Sequence, residues 1–388
     1  MKILRVIPSM DPRKGGPSEG IRQIQVVLQK DYKELEVDIV SMDEANSPWI
    51  ENSSTKIFAV GSKKSTYSYS PALKIWLDEN IEKYNLVIIH GIWQYHSLAA
   101  YNACKQHHIP YYVYTHGMLD PWFKEQFPLK HLKKMIYWML FERNVINSSR
   151  GIIFTSAEER DTAKKSFPLH HAHGIVTSYG TAGSVYDKQH CEQIFYKKYP
   201  DLIDKEIILF VGRIHPKKGC DILIEAFSRI FGKGKDLHLF IAGPDNDTYA
   251  ESLKQLAKKL GIDKSVTWAG MLQGENKWAA YNTASLFCLP SHQENFGIVV
   301  AEALSCSVPV VISNKVNIWR EIVSDNAGFV GSDDIAGTEL SLMSWVNLDA
   351  SKKKEFSNNA KNCFLNRFDI VKAAADFNTI ALGNDHGA

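Results

Sequence analysis

Short apolar runs alternate with amphipathic stretches from one end of this chain to the other, and that alternation constrains the fold more than any other feature. Lys2–Pro8, Val37–Met42, Leu86–His90, Tyr111–Thr115 and Gly151–Thr155 read as strands, with helical periodicity over Gly20–Gln29 and Ser97–His107. A second series follows at Ile207–Val211, Leu237–Ala242, Val266–Ala269, Leu286–Leu289 and Val308–Ile312. Strands separated by helices pair in parallel, so the pattern predicts an α/β chain with helix-covered parallel sheets. At 388 residues the chain exceeds one ordinary core, and two domains are expected, over 1–185 and 186–366. Ser178–Lys205, rich in Gly, Tyr and charge, is the linker candidate. The last helical run, Ile370–Leu382 within 367–388, is free to cross back onto the first domain.

Composition narrows the class. Apolar residues are 45% and charged residues 23%, as in soluble globular enzymes. A net charge of +2 implies neither nucleic acid nor an acidic partner. Cys104, Cys191, Cys220, Cys288, Cys306 and Cys363 form no CxxC pair, and three of them lie in apolar runs. That usage suits a reducing compartment rather than a disulfide framework. The apolar run in MKILRVIPS is too short for a signal peptide, and no stretch reaches the ~18 apolar residues of a membrane span. A cytoplasmic location is expected, with contact to the inner face of the plasma membrane left open.

The segment 288–311, CLPSHQENFGIVVAEALSCSVPVV, carries the most chemistry. A buried strand stops at Pro290, a polar loop bears Glu294, and an Asn295-Phe296-Gly297 turn opens an apolar helix from Ile298. Glu302 lies within that helix. A helix start offers free N–H groups to an anion, while two carboxylates suit hydroxyl groups. Phosphate with sugar hydroxyls beside it fits that arrangement. The plainer alternative is a capping Glu and a solvated helical one. Ligands of parallel sheets sit at the carboxyl ends of strands, which favours the first reading.

Four other loops follow strands. Gly15-Gly16-Pro17 lets backbone approach a ligand, or is an ordinary turn; GxGxxG is absent. Thr115-His116-Gly117 puts a histidine at a strand end, and His90-Gly91 repeats the form. Gly212-Arg213 with Pro216-Lys217-Lys218-Gly219 offers two cations suited to a diphosphate leaving group; alone it also reads as a solvated basic turn. Gly243-Pro244-Asp245-Asn246-Asp247 reads as a helix-capping loop rather than a metal site, and no metal is expected.

Residues 129–143, LKHLKKMIYWMLFER, form a basic amphipathic helix. Lys130, Lys133, Lys134 and Tyr137 share one face; Leu132, Met135, Ile136, Met139 and Leu140 share the other. The simpler expectation is docking through the apolar face. Trp138 and Phe141 near the basic edge suit a lipid headgroup layer, the sharper alternative.

Together these residues resemble the family 4 retaining glycosyltransferases. The resemblance runs through the GGP loop, His116, VGRIHPKKG with DILIEAF, IAGP, and ENFGIVVAEAL with VPVV. The THGMLDPW segment is similar to the subset that builds bacterial exopolysaccharides. The resemblance implies a GT-B fold, two Rossmann-like domains facing across a cleft. It implies transfer of a sugar, with retention and without a metal or cofactor, from a nucleotide-diphosphate sugar to a glycan or lipid-linked acceptor. By the same resemblance Arg213 and Lys218 grip the diphosphate and Glu302 bonds the ribose. Glu294 and the backbone of Asn295 to Ile298 hold the donor sugar and phosphate. His116 contacts the sugar near the reacting carbon, and Gly15, Gly16 and Gly212 approach the donor.

Two departures stand out. Ser307 occupies a position where the family usually has Gly, and 313–321, SNKVNIWRE, lacks the Gly-Gly that often precedes the next Glu. Two alternatives remain: a sugar-nucleotide epimerase of the same architecture, and a non-catalytic nucleotide-sugar-binding protein.

Overall fold

Seven parallel strands of the computed structural model form one sheet and six form another. The structure describes every residue except 15, 52, 54, 63, 64, 168–171, 233–235 and 384–388. By contacts the chain divides into Met1–Tyr179 with the chain from Ile370 onward, and Gly180–Asp369.

The first unit contains β1 (Lys2–Ile7), β2 (Glu36–Ser41), β3 (Ile57–Ala59), β4 (Leu86–His90), β5 (Tyr111–Tyr114), β6 (Gly151–Phe154) and β7 (Gly174–Val176). Their order is β3-β2-β1-β4-β5-β6-β7. The central strands are buried on both faces, which is why they read as continuous apolar runs. Leu4, Val6, Val87, Ile89, Val113 and Phe154 meet Leu73, Leu77, Ala100 and Cys104 in one core. Ile7, Ile39, Met10 and Ile21 form a smaller core on the other face. The helix Ile370–Ala381 packs here against the helix Gly16–Asp31. Asp376 accepts from the Ser178 N–H at 2.7 Å.

The second unit contains β8 (Glu206–Val211), β9 (Leu237–Ala242), β10 (Val266–Trp268), β11 (Leu286–Leu289), β12 (Val310–Ser313) and β13 (Gly328–Gly331), in the order β10-β9-β8-β11-β12-β13. The segment Ser178–Lys205 proves not to be a bare linker. It holds the helix Lys188–Lys198, capped by Asp187 and anchored by buried Phe195, whose ring lies 5.1 Å from Phe240.

Strands β3, β7 and β13 have no counterpart in the sequence reading. Each has three or four half-buried or exposed residues and lies at a sheet edge, so no long apolar run announces it. β12 begins at Val310 rather than Val308 because Ser307 and Val308 close the preceding helix. Val308 N–H donates to Ala303 at 3.1 Å and Ser307 N–H to Leu304 at 3.0 Å, a Schellman closure with Ser307 left-handed at φ 62°. A side chain in that conformation costs about 1–2 kcal/mol, and glycine's extra unfolded freedom offsets part of it. Ser307→Gly is expected to stabilise the protein by roughly 0.5–1 kcal/mol, read as a raised melting temperature.

Candidate active site

In each sheet the strand order reverses beside its first strand, and ligands of such sheets bind outside the carboxyl ends of the two strands at that point. In the second unit these strands are β8 and β11. The first releases the loop of Gly212, Arg213 and Lys218; the second releases the loop of Glu294. His292 N–H donates to the Lys217 carbonyl at 2.9 Å. Gly219, at φ 68°, passes so close to Pro290 that a Cβ would collide with its carbonyl oxygen. This close approach brings Lys218 Nζ into an ion pair with Glu294 Oε2. Burial first, then the charges of Lys217 and Arg213, pushes the Lys218 ammonium down to about 7. The pairing with Glu294 opposes that shift. Arg213 is exposed.

The Glu294 loop is fixed on its other side by 313–321. Glu294 N–H donates to Lys315 at 2.9 Å, Asn317 N–H returns a bond to the Glu294 carbonyl at 3.1 Å, and Asn317 Nδ2 donates to Asn295 Oδ1 at 3.3 Å. The unusual loop therefore forms a short parallel bridge with the Glu294 loop. Phe296 is buried against Phe368. Gly297, at φ 74°, starts the helix Ile298–Ser305, and no side chain caps it. Val300 N–H donates to the Gly297 carbonyl at 2.8 Å. Glu302 is buried on that helix, accepting from Lys277 Nζ at 2.7 Å and from Tyr281 OH at 3.0 Å. Both carboxylates thus have cationic partners within the unit.

In the first unit, Gly15 lies outside the described residues. Gly16 begins its helix with open space where a Cβ would stand, and Tyr179 OH donates to its carbonyl at 2.9 Å. His116 is half-buried and left-handed at φ 49°. Glu159 explains how that backbone is held. It is buried and accepts four hydrogen bonds: from Thr115 Oγ1 at 3.0 Å, Gly117 N–H at 2.6 Å, Thr155 N–H at 2.8 Å and Thr155 Oγ1 at 2.8 Å. One carboxylate therefore ties together the ends of β5 and β6 on both sides of His116. The His116 ring stacks on Tyr114, centroids 4.4 Å apart, and shares a 3.0 Å hydrogen bond with His90. Burial, then Arg5, pushes His116 down to about 3, so its ring is neutral.

The Gly243 loop behaves as a capping loop. Asp247 accepts from Ala250 N–H at 2.8 Å, and Asp245 pairs with Lys254 at 3.2 Å. A Cβ on Gly243 would collide with the Gly212 carbonyl, so this glycine serves close packing of the two loops.

The basic helix docks opposite to the simpler expectation. No residue of Pro128–Tyr137 is buried, while Leu129, Leu132, Ile136, Met139 and Leu140 are exposed. Trp138 is the anchor, fully buried beside Trp93 and Phe167. Lys134 lies over the Trp93 ring at 4.8 Å. Buried Glu142 accepts from Trp93 N–H at 2.8 Å and from Ser97 Oγ at 2.7 Å. Aromatic packing and this carboxyl outcompete the aliphatic stripe for the interior.

Glu159, Lys277, Tyr281 and Asn317 escape the sequence reading. Each supports a candidate site residue from a distant segment, and none has a motif of its own.

Comparison with known proteins follows the same division. Residues 25–178 match the family described as Glycosyltransferase Family 4, and residues 195–363 match Glycosyl transferases group 1. Among curated relatives, D-inositol 3-phosphate glycosyltransferase of Kribbella flavida is 31% identical over 144 residues, 34% of this chain and 34% of that protein. Mannosylfructose-phosphate synthase of Agrobacterium fabrum is 32% identical over 123 residues, 30% of this chain and 27% of that protein. The aligned stretches thus span about a third or less of these relatives' lengths. The crystal structure of Anabaena HepE in complex with UDP and glucose superposes with a TM-score of 0.74 at 16% identity, covering 99% of this chain and 100% of that one.

Proposed function

The chain belongs to the family 4 glycosyltransferases and has the GT-B fold, and we propose that it moves a sugar from a nucleotide-diphosphate donor to a glycan or lipid-linked acceptor in polysaccharide synthesis. The observation that carries this reading is the junction of loops in the second unit. Lys218 meets Glu294 there, Arg213 lies close enough to depress Lys218, and a helix with no side-chain cap begins four residues beyond Glu294. Two cations and free N–H groups suit a diphosphate; Glu294 and Glu302 suit hydroxyls on the sugar and ribose. The Anabaena neighbour's complex with UDP and glucose supports a donor of that chemistry.

The reaction breaks the anomeric C–O bond, and its electron pair leaves with the diphosphate. Arg213, Lys218 and the helix N–H groups stabilise the charge that develops there more than the ground state, without a metal. The acceptor hydroxyl attacks on the same face and passes its proton to a departing phosphate oxygen, which gives retention. Incubation with a panel of nucleotide sugars and glycan acceptors, followed by proton NMR of the product, tests this. The expected result is release of nucleoside diphosphate, retained anomeric configuration and activity that survives a chelator. A trapped covalent glycosyl-enzyme would overturn the same-face attack, and donor isomerised without acceptor would establish an epimerase.

The solvent-facing aliphatic stripe of 129–143, beside exposed Lys130 and Lys133, supports contact with an anionic membrane surface. Six buried free thiols fit the cytoplasmic side. Flotation with anionic vesicles is expected to carry the wild type upward and to leave Leu132→Ser/Ile136→Ser/Leu140→Ser in solution. Wild-type protein that stays wholly in solution would remove membrane contact from the account.

A further inference from the structure

His116 is held at its ring as well as at its backbone. His90, the last residue of β4, points Nδ1 at His116 Nε2 across 3.0 Å, and the two rings stack at 5.3 Å. Two neutral imidazoles sharing one hydrogen bond have two arrangements. In the first, His90 carries its proton on Nδ1 and donates; His116 Nε2 accepts, and His116 carries its own proton on Nδ1. In the second, His116 donates from Nε2, and His90 carries its proton on Nε2.

The surroundings separate these arrangements. His90 Nε2 is buried and has no hydrogen-bond partner among the described residues. The second arrangement would strand an N–H there, and orphaned buried N–H groups are rare. The charge around the pair points the same way. Arg5 is buried, its guanidinium stacked on Phe377 at 4.2 Å, and its Nε and Nη2 have no partner among the described residues. The groups facing the pair are Arg5, Tyr114, Tyr179 and His96. No carboxylate acts on either ring, and an uncompensated cation favours a bare lone pair at His90 Nε2 over an N–H. His96 leaves His90 Nε2 untouched, because its own Nε2 donates to the His90 and Gly91 carbonyls at 2.9 and 3.1 Å.

We propose that His90 is a positioning residue: its ring locks His116 in the Nδ1–H tautomer, so that His116 presents one fixed N–H donor to an oxygen of the transferred sugar. The contact with sugar rests on the functional reading above and on the role that the family resemblance implies for His116; the tautomer rests on the geometry alone. The arrangement needs the left-handed turn at His116 that Glu159 holds, which swings the ring back over Tyr114 to reach His90. The donor is oriented before substrate arrives, so it costs no reorganisation when the C–O bond breaks.

The test combines nitrogen NMR of histidine-labelled protein with kinetics. The His116 resonances, assigned by their loss in His116→Ala, are expected to show a protonated Nδ1 and a bare Nε2 in the wild type. His90→Phe keeps ring bulk but cannot donate; it is expected to move the His116 proton toward Nε2. The same variant is expected to lower kcat by about tenfold or more, with nucleoside diphosphate stabilisation kept within about twofold. His90→Asn restores an N–H near the lost one and is expected to recover most of kcat and the wild-type tautomer. A wild-type His116 protonated on Nε2, or a folded His90→Phe enzyme with wild-type kcat, would overturn the proposal. Wild-type protein that transfers no sugar would strike the functional reading instead, and the nitrogen resonances would still decide the tautomer.

Discussion

Lys218→Ala is expected to lower sugar transfer by about 10²–10³-fold while the melting temperature of the protein without ligand changes little. The side chain sits where β8 and β11 release their loops, paired with Glu294 and beside Arg213. In the proposed mechanism its removal deletes a charge aimed at the leaving diphosphate and frees Glu294 to repel it. Arg213→Ala removes the second cation from an exposed position and is expected to have an effect of the same kind. The pH dependence gives an independent check. With the free ammonium brought down to about 7, part of the population is neutral above that pH. A bound diphosphate favours the charged form, so binding takes up a proton, and affinity falls as pH rises above about 7. Lys218→Arg, whose charge persists, is expected to flatten that fall. Wild-type turnover in Lys218→Ala would remove the leaving-group assignment.

Glu159→Ala is expected to destabilise the protein by about 3–5 kcal/mol, because it leaves the buried Gly117 and Thr155 N–H groups without acceptors. For a unit of this size that corresponds to a melting transition lowered by about 8–15 °C. Glu159→Gln retains a carbonyl acceptor and is expected to lose less. A Glu159→Ala transition matching wild type would show that the His116 turn does not depend on this carboxylate.

The residues that were legible in the sequence share a property. β8, β9 and β11 are apolar because both faces are covered, and their closing loops announce themselves through Gly, Pro and charge. Arg213, Lys218, Glu294 and Glu302 therefore stand out in the sequence as candidates, through the loops that carry them. The supporting residues were hidden because their role exists only after folding. Glu159 looks like an ordinary first-turn glutamate, and only the approach of β5 to β6 gives it Gly117. His90 and His116 lie 26 positions apart, and pairing of β4 with β5 brings their rings together. The basic helix misled for a related reason. Periodicity identified its apolar face but not that Trp138, one residue from the basic edge, offered better packing with Trp93 and Phe167. Ser307 is the opposite case: the missing glycine marked a left-handed helix end, and the structure has one.

Calorimetric titration of nucleoside diphosphates into wild type and the Arg213→Ala/Lys218→Ala double variant decides whether these two cations hold a diphosphate. At least one nucleoside diphosphate is expected to bind the wild type, and the double variant, still folded, to bind it at least about a hundredfold more weakly. No binding by any nucleoside diphosphate, or equal affinity in the double variant, would contradict that role.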